Sequence, residues 1–307
     1  GGVELNYPSD IDLMFVRPDG VTDQVSADDT ARRLIRRIGK QTTEGHLYRV
    51  DMRLRPEGGT GPLTRSLKSS LQYYRTLGRP WERQMLTKAR VVFDAEGAGS
   101  TFLAATREWI LQCGMDAGAI QQFKRLKAAT EAHYASPEDR TDIKQAPGGI
   151  RDIETIVQFL ALQHAAKQPS LLTTSTLNGL EKLRIAGALN SIEAARLRSA
   201  YRFHRKVENL LQVMHRIQTH SLPADRTTLA SLTAHENSEQ FDQALSQHRQ
   251  QVREIFDRHF THAFAALDSP SAPAATLSEW ILNGALENDP AVTTKVEHAL
   301  RRPGAAG

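Results

Sequence analysis

The stretch Ser9-Asp10-Ile11-Asp12-Leu13 decides how the first third of the chain is read. As a strand, its period of two puts both carboxylates on one face and Ile11 and Leu13 on the other. Two adjacent carboxylates repel, and a site that keeps both ionised needs a cation. Hard cations such as Mg²⁺ take such oxygen ligands together with substrate phosphates. Gly1-Gly2 stands seven residues upstream of this stretch. A glycine pair lets backbone N–H groups approach a phosphate closely. Two surface acids at a strand start are the plainer reading of Asp-x-Asp alone, and the glycines weigh against it.

Leu47–Leu54 reads as a second strand, closed by Pro56 and Gly58-Gly59. Alternation there predicts Asp51, Arg53 and Arg55 on one face and Val50, Met52 and Leu54 on the other. A carboxylate followed by two arginines suits a third metal ligand beside phosphate-binding cations. The competing reading is a surface strand with an ion pair of little energetic weight. Lys88 and Arg90 cannot share a helical face well, and Lys88 is the candidate for phosphate. A third motif runs from Ile143 through Pro147-Gly148-Gly149 into a helix. Arg151, Glu154 and Gln158 fall on its polar face, either towards a shared site or as a solvated i,i+3 pair.

Elsewhere helices dominate. Apolar spacing predicts one over residues 28–40, Ser66 reads as an N-cap, and Pro80 suits a first helical turn. Residues 191–217 carry Leu197, Ala200, Phe203, Val207, Leu210 and Met214 as a one-sided stripe, and residues 239–267 carry another. Ser269–Ala275 has linker composition and precedes a short helix near 277–286. His259 and His262 show no carboxylate or thiolate partner in the sequence. His215 and His220 read as capping or solvated, and Cys113 as packing.

The chain has 307 residues, 40% hydrophobic and 24% charged, which excludes a disordered, collagen-like or disulfide-stapled protein. The apolar runs are too short for a membrane span. One cysteine forms no internal disulfide and suits a cytoplasmic compartment. A net charge of +4, spread along the chain, argues against a nucleic-acid binder. The first residue is Gly, not Met, so the sequence reads as a fragment, with no secretory leader visible.

Together these motifs resemble a family. Gly1-Gly2-x-Glu4-Leu5-Asn6 with Ser9–Leu13 is similar to the signature of the polymerase-β-type nucleotidyltransferases. Tyr48–Pro56, Gly61-Pro62-Leu63, Tyr73-Tyr74, Trp81-Glu82-Arg83, Lys88-Ala89-Arg90, Gly148–Glu154 and Gln218-Thr219-x-x-Leu222-Pro223 extend the match to about residue 265. They resemble, more closely, the glutamine synthetase adenylyltransferase/adenylyl-removing family. Lys144–Pro147 and Thr155 depart from that family's pattern.

The resemblance implies an α+β fold. A polymerase-β-like nucleotidyltransferase core, incomplete at its N-terminus, would occupy residues 1–98. A helical bundle would occupy 99–268, and 269–307 would be a linker and the start of a following segment. It implies that Asp10, Asp12 and Asp51 are catalytic and bind two Mg²⁺ ions. Gly1, Gly2, Ser9, Arg53, Arg55 and Lys88 would bind nucleotide and phosphate, with Arg151 or Glu154 contributing from the second domain. The implied reaction is phosphorolytic removal of AMP from a tyrosine of glutamine synthetase, giving ADP. The alternative is the ATP-dependent half that attaches AMP. A PII-type signal protein and glutamine are the implied regulators. A nucleic-acid-directed nucleotidyltransferase and a non-catalytic binding module are the rival readings.

Overall fold

A computed structural model describes residues 4–265, apart from Tyr7, Glu44, His46, Ala135 and residues 137–140. The linker and final helix expected after residue 268 lie outside the described residues, as do Gly1 and Gly2.

The fold is α+β and mostly helical. Two small parallel ladders open it: β1 (Ile11–Asp12) pairs with β3 (Val50–Asp51), and β2 (Phe15–Arg17) with β4 (Thr64–Ser66). Helix α1 (Gln24–Gly39) crosses between them. It starts earlier than the apolar spacing predicts, because Asp23 caps it by accepting the Ser26 N–H at 3.0 Å. Asp28 of α1 accepts from both the backbone N–H and the hydroxyl of Thr64, fastening the helix to β4. These hydrogen bonds hold its carboxyl below the usual range against the opposing effect of burial.

The predicted strand over Leu47–Leu54 is corrected to two residues, Val50–Asp51. The chain turns at once because the Arg53 N–H folds back onto the Asp51 carboxylate at 2.8 Å. Ser66 does cap α2 (Leu67–Leu77), and Pro80 does open α3 (Pro80–Leu86). In α3, Glu82 is fully buried and accepts the Arg79 N–H, while Arg83 bonds the Gly114 carbonyl and Asp116. The Trp81-Glu82-Arg83 motif is thus tied into helix capping and inter-helix anchoring.

The remaining helices are α4 (Ala98–Cys113), α5 (Ala117–His133), α6 (Ile150–Ala165), α7 (Thr176–Ile185), α8 (Ser191–His215), α9 (Thr227–Leu232) and α10 (Ser238–Ala265). Helix α6 is the central rod: Ile150, Ile153, Ile156 and Phe159 have no exposed surface. Each such side chain contributes on the order of 1.5–3 kcal/mol through burial. It packs against α4, α7, α8 and α10. The α8 stripe holds as spaced from Leu197 to Val207, then frays outward at Met214, which is 40% exposed. Phe241, Val252 and Phe260 anchor α10 in the same way. One hydrophobic cluster runs from Tyr73, Tyr74 and Leu86 through Phe102 to Phe256 and Phe260. It joins residues on both sides of position 98. Among the described residues, no helix is long and apolar enough to cross a membrane.

Gly148 takes a left-handed φ of +80° and lies against the α10 backbone. Its carbonyl stands 3.1 Å from Nε2 of the fully buried His204. Burial, with Arg249 and His248 facing the ring, pushes the His204 pKa down to about 3. The native ring therefore stays neutral where an unfolded-chain histidine takes up a proton. Stability is then complete above pH 6.5 and falls as the pH drops from there towards 3. One such group gives a slope of about 1.4 kcal/mol per pH unit. Urea midpoints measured from pH 7 to 5 are expected to show this decline and to flatten in His204→Gln. An equal slope in both proteins assigns it to other groups.

Candidate active site

The parallel register places Ile11 opposite Val50 and Asp12 opposite Asp51. The ladder is closed by Ile11 N–H to the Arg49 carbonyl and Leu13 N–H to the Asp51 carbonyl, both at 2.9 Å. Directly opposite residues share a face, which puts Asp12 and Asp51 together, while Asp10 stands just before β1. The Asp12 residue is exposed, while the side chains of Asp10 and Asp51 are only 11% and 16% exposed.

Both of the more covered carboxylates lie in the grip of an arginine fork. Arg53 reaches both oxygens of Asp51, with Nε at 2.9 Å from Oδ2 and 3.1 Å from Oδ1. Arg49 donates from Nε to Asp10 Oδ1 at 2.8 Å and from Nη2 to Oδ2. Among the described residues, no three His, Cys, Asp or Glu groups stand as a ready-made metal cage.

Arg55 does not share a strand face with Asp51, because the strand has already ended. Its guanidinium is directed into its own loop, donating to the carbonyls of Met52, Gly59, Gly61 and Pro62. Ser9 closes a turn, its hydroxyl accepting the Asn6 N–H at 3.2 Å. Lys88 follows α3 and donates to Thr176 Oγ1 at 2.8 Å, with Glu4 at 3.9 Å.

The segment before β1 is bound to the helical region. Glu4 accepts from Ser175 Oγ, Thr176 N and Oγ1, and the Tyr201 hydroxyl. Asn6 donates to Glu208 at 2.9 Å and accepts from Arg205 at the same distance. Glu208 is 2% exposed, yet hydrogen bonding to His220 and the charges of Arg205 and Lys144 hold its pKa below the ordinary value. His220 is therefore not a solvated residue but lies 3.1 Å from a buried carboxylate. His259 likewise gains a partner that the sequence did not suggest, Glu193 at 3.4 Å.

The polar face of α6 meets the N-terminal region through Gln158, which accepts from Gln84 of α3. Glu154 lies close enough to Tyr201 that its charge, with that of Glu4, adds to burial in raising the phenol pKa. Arg151 is half-buried, its backbone N–H bonded to the Lys144 carbonyl. The residue that sequence reasoning passed over is Arg49. It stands two residues before Asp51, just ahead of β3, and its Nη2 also donates to Gln218 Oε1 at 3.0 Å.

Residues 1–105 match the family model for glutamate-ammonia ligase adenylyltransferase, and residues 120–260 the model for GlnD PII-uridylyltransferase. Three similar proteins are all bifunctional glutamine synthetase adenylyltransferase/adenylyl-removing enzymes. That of Nitrosococcus oceani is 35% identical over 93% of this chain and 31% of its own length. That of Thioalkalivibrio sulfidiphilus is 36% identical over 90% of the chain and 29% of its own length. That of Xanthomonas oryzae pv. oryzae is 38% identical over 73% of the chain and 24% of its own length. The chain spans about a third of the length of such relatives, and over that stretch it is similar to the bifunctional glutamine synthetase adenylyltransferase/adenylyl-removing enzymes.

Proposed function

We propose that this stretch carries a nucleotidyl-transfer site whose acidic ligands are Asp10, Asp12 and Asp51. Its reaction would be phosphorolytic removal of AMP from a tyrosine of glutamine synthetase. The observation that supports the reading best is the register that sets Asp12 opposite Asp51, with Asp10 two residues earlier, just ahead of β1. The donor chemistry fits a hard divalent cation, since carboxylate oxygens are the ligands Mg²⁺ takes alongside phosphates. Bound there, Mg²⁺ would act as a Lewis acid on the transferring phosphoryl group.

The chain's own residues orient and neutralise. Arg53 stands beside the carboxylates and would meet phosphate charge, with Lys88 and the Gly1–Gly2 and Ser9 backbone as further candidates. Arg55 holds the loop that follows β3. A phosphate oxygen attacks phosphorus in the AMP–tyrosine diester, the phosphorus–tyrosyl oxygen bond breaks, and the phenolate takes up a proton. The products are ADP and the free tyrosine. Running AMP from ATP onto tyrosine uses the same ligands, and the relatives' names cover both directions.

The test is a full-length protein carrying Asp10→Asn and Asp12→Asn, assayed both ways on purified glutamine synthetase. Phosphate-dependent AMP release is expected to be lost and ATP-dependent attachment kept. Loss of attachment with release intact assigns the opposite direction to this site. Retention of both removes the aspartates from the mechanism.

A further inference from the structure

Resting on that reading, we propose that Arg49 is the positioning residue of the Asp10 carboxylate, aligned in turn by Gln218. The Arg49 fork meets both Asp10 oxygens, and the same Nη2 that reaches Oδ2 also reaches Gln218 Oε1 at 3.0 Å. Asp10 and Arg49 sit 39 residues apart, and Arg49 and Gln218 are 169 residues apart. The carboxylate is therefore oriented from two segments distant from it in the sequence. One is the residue leading into β3, the other the segment that follows α8.

The chemistry of this chain is specific to a planar fork. A guanidinium engaging two carboxylate oxygens fixes the plane of the group, which a lysine ammonium does not. A carboxylate has about four acceptor sites, so an arginine fork does not by itself fill it. Partners that orient a metal-binding carboxylate in this way are worth roughly 10–100-fold in metal affinity. Gln218 has no charge and accepts from the Arg49 fork, so its removal tests the alignment of that fork. The exposed position of Arg49, 60% accessible at its side chain, makes substitution there compatible with folding.

The experiment titrates the full-length protein with Mn²⁺, followed by the loss of the free-ion electron paramagnetic resonance signal, without substrate. The share due to this site is the difference from Asp10→Asn/Asp12→Asn. Arg49→Lys and Arg49→Met are both expected to weaken that share about 10-fold or more. Gln218→Leu is expected to weaken it several-fold, and Gln218→Asn, which keeps an uncharged acceptor oxygen, to weaken it less. Thermal melting of each variant identifies any that misfold, and Gln218→Asn against Gln218→Leu then decides between folded proteins. Unchanged or tighter binding in Arg49→Lys and Arg49→Met overturns the proposal, the latter by making Arg49 a competitor of the cation. If Mn²⁺ binding also ignores Asp12→Asn and Asp51→Asn, the nucleotidyl-transfer reading fails with it. If it responds to those two but not to Arg49, only the positioning role fails.

Discussion

Asp51→Asn in the full-length protein is expected to slow phosphate-dependent AMP release by roughly 10²–10⁴-fold, because several kcal/mol of charge stabilisation are lost at about 1.36 kcal/mol per factor of ten. Asp51 stands opposite Asp12 across the β1–β3 ladder. An amide there keeps an oxygen that can accept the Arg53 N–H, now at 2.8 Å, so the turn after β3 survives. What it loses is the negative charge that, on the proposed reading, would draw a divalent cation to the pair. Arg55→Gln supplies the contrast. Its donors hold the carbonyls of Met52, Gly59, Gly61 and Pro62, so its removal is expected to lower the melting temperature while leaving the rate of the folded fraction within a few-fold. Steady-state rates and circular dichroism melts on the same preparations separate the two effects. An Asp51→Asn enzyme within threefold of the parent rate removes Asp51 from the site.

The second large effect is structural. Gly148→Ala is expected to cost about 3 kcal/mol or more, the sum of left-handed backbone strain and overpacking against rigid backbone. A Cβ at Gly148 would lie 2.4 Å from the Arg249 carbonyl oxygen and 2.7 Å from the Arg249 Cα, both in the α10 backbone. Neither can swing aside as a side-chain tip would. The residue is also tied at both polar groups: its N–H donates to buried Asp152 at 2.7 Å, and its carbonyl faces His204. Against a total stability of about 5–15 kcal/mol, such a loss is severe. Gly187→Ala is the control. Its φ is +75° with nothing within 4 Å, so it should cost only the backbone strain, about 1 kcal/mol. Urea denaturation of both variants measures the difference, and equal costs would show that the contact with α10 relaxes freely.

Local signals served the helices well. Ser66 and Pro80 mark helix starts because capping and a fixed φ act within a single turn. The stripe from Leu197 to Val207 is legible because each residue needs only one face of one helix. The second strand was over-read, since alternation from Leu47 to Leu54 carries no information that Arg53 will fold back onto Asp51. Arg49 was readable in principle, by its shared parity with Asp51, but its partners Asp10 and Gln218 come from distant sequence. The same holds for Glu4 with Thr176 and for Glu208 with Asn6. Contacts that depend on chain closure leave no periodic trace. The expectation of a shared site between the two regions rested on the polar face of α6, and the described bond there is from Gln84 to Gln158.

The fastening of Glu4 and Asn6 to residues 172 and 202 positions further along has a consequence for synthesis on the ribosome. At about 5–20 residues per second, the segment that leads into the aspartate strand waits roughly 10–40 s for its anchors to emerge. Until then Glu4 and Asn6 lack their native partners, and β1 can be held only by its own short ladder. The acidic edge is thus among the first parts of the stretch to be translated and among the last to be locked in place.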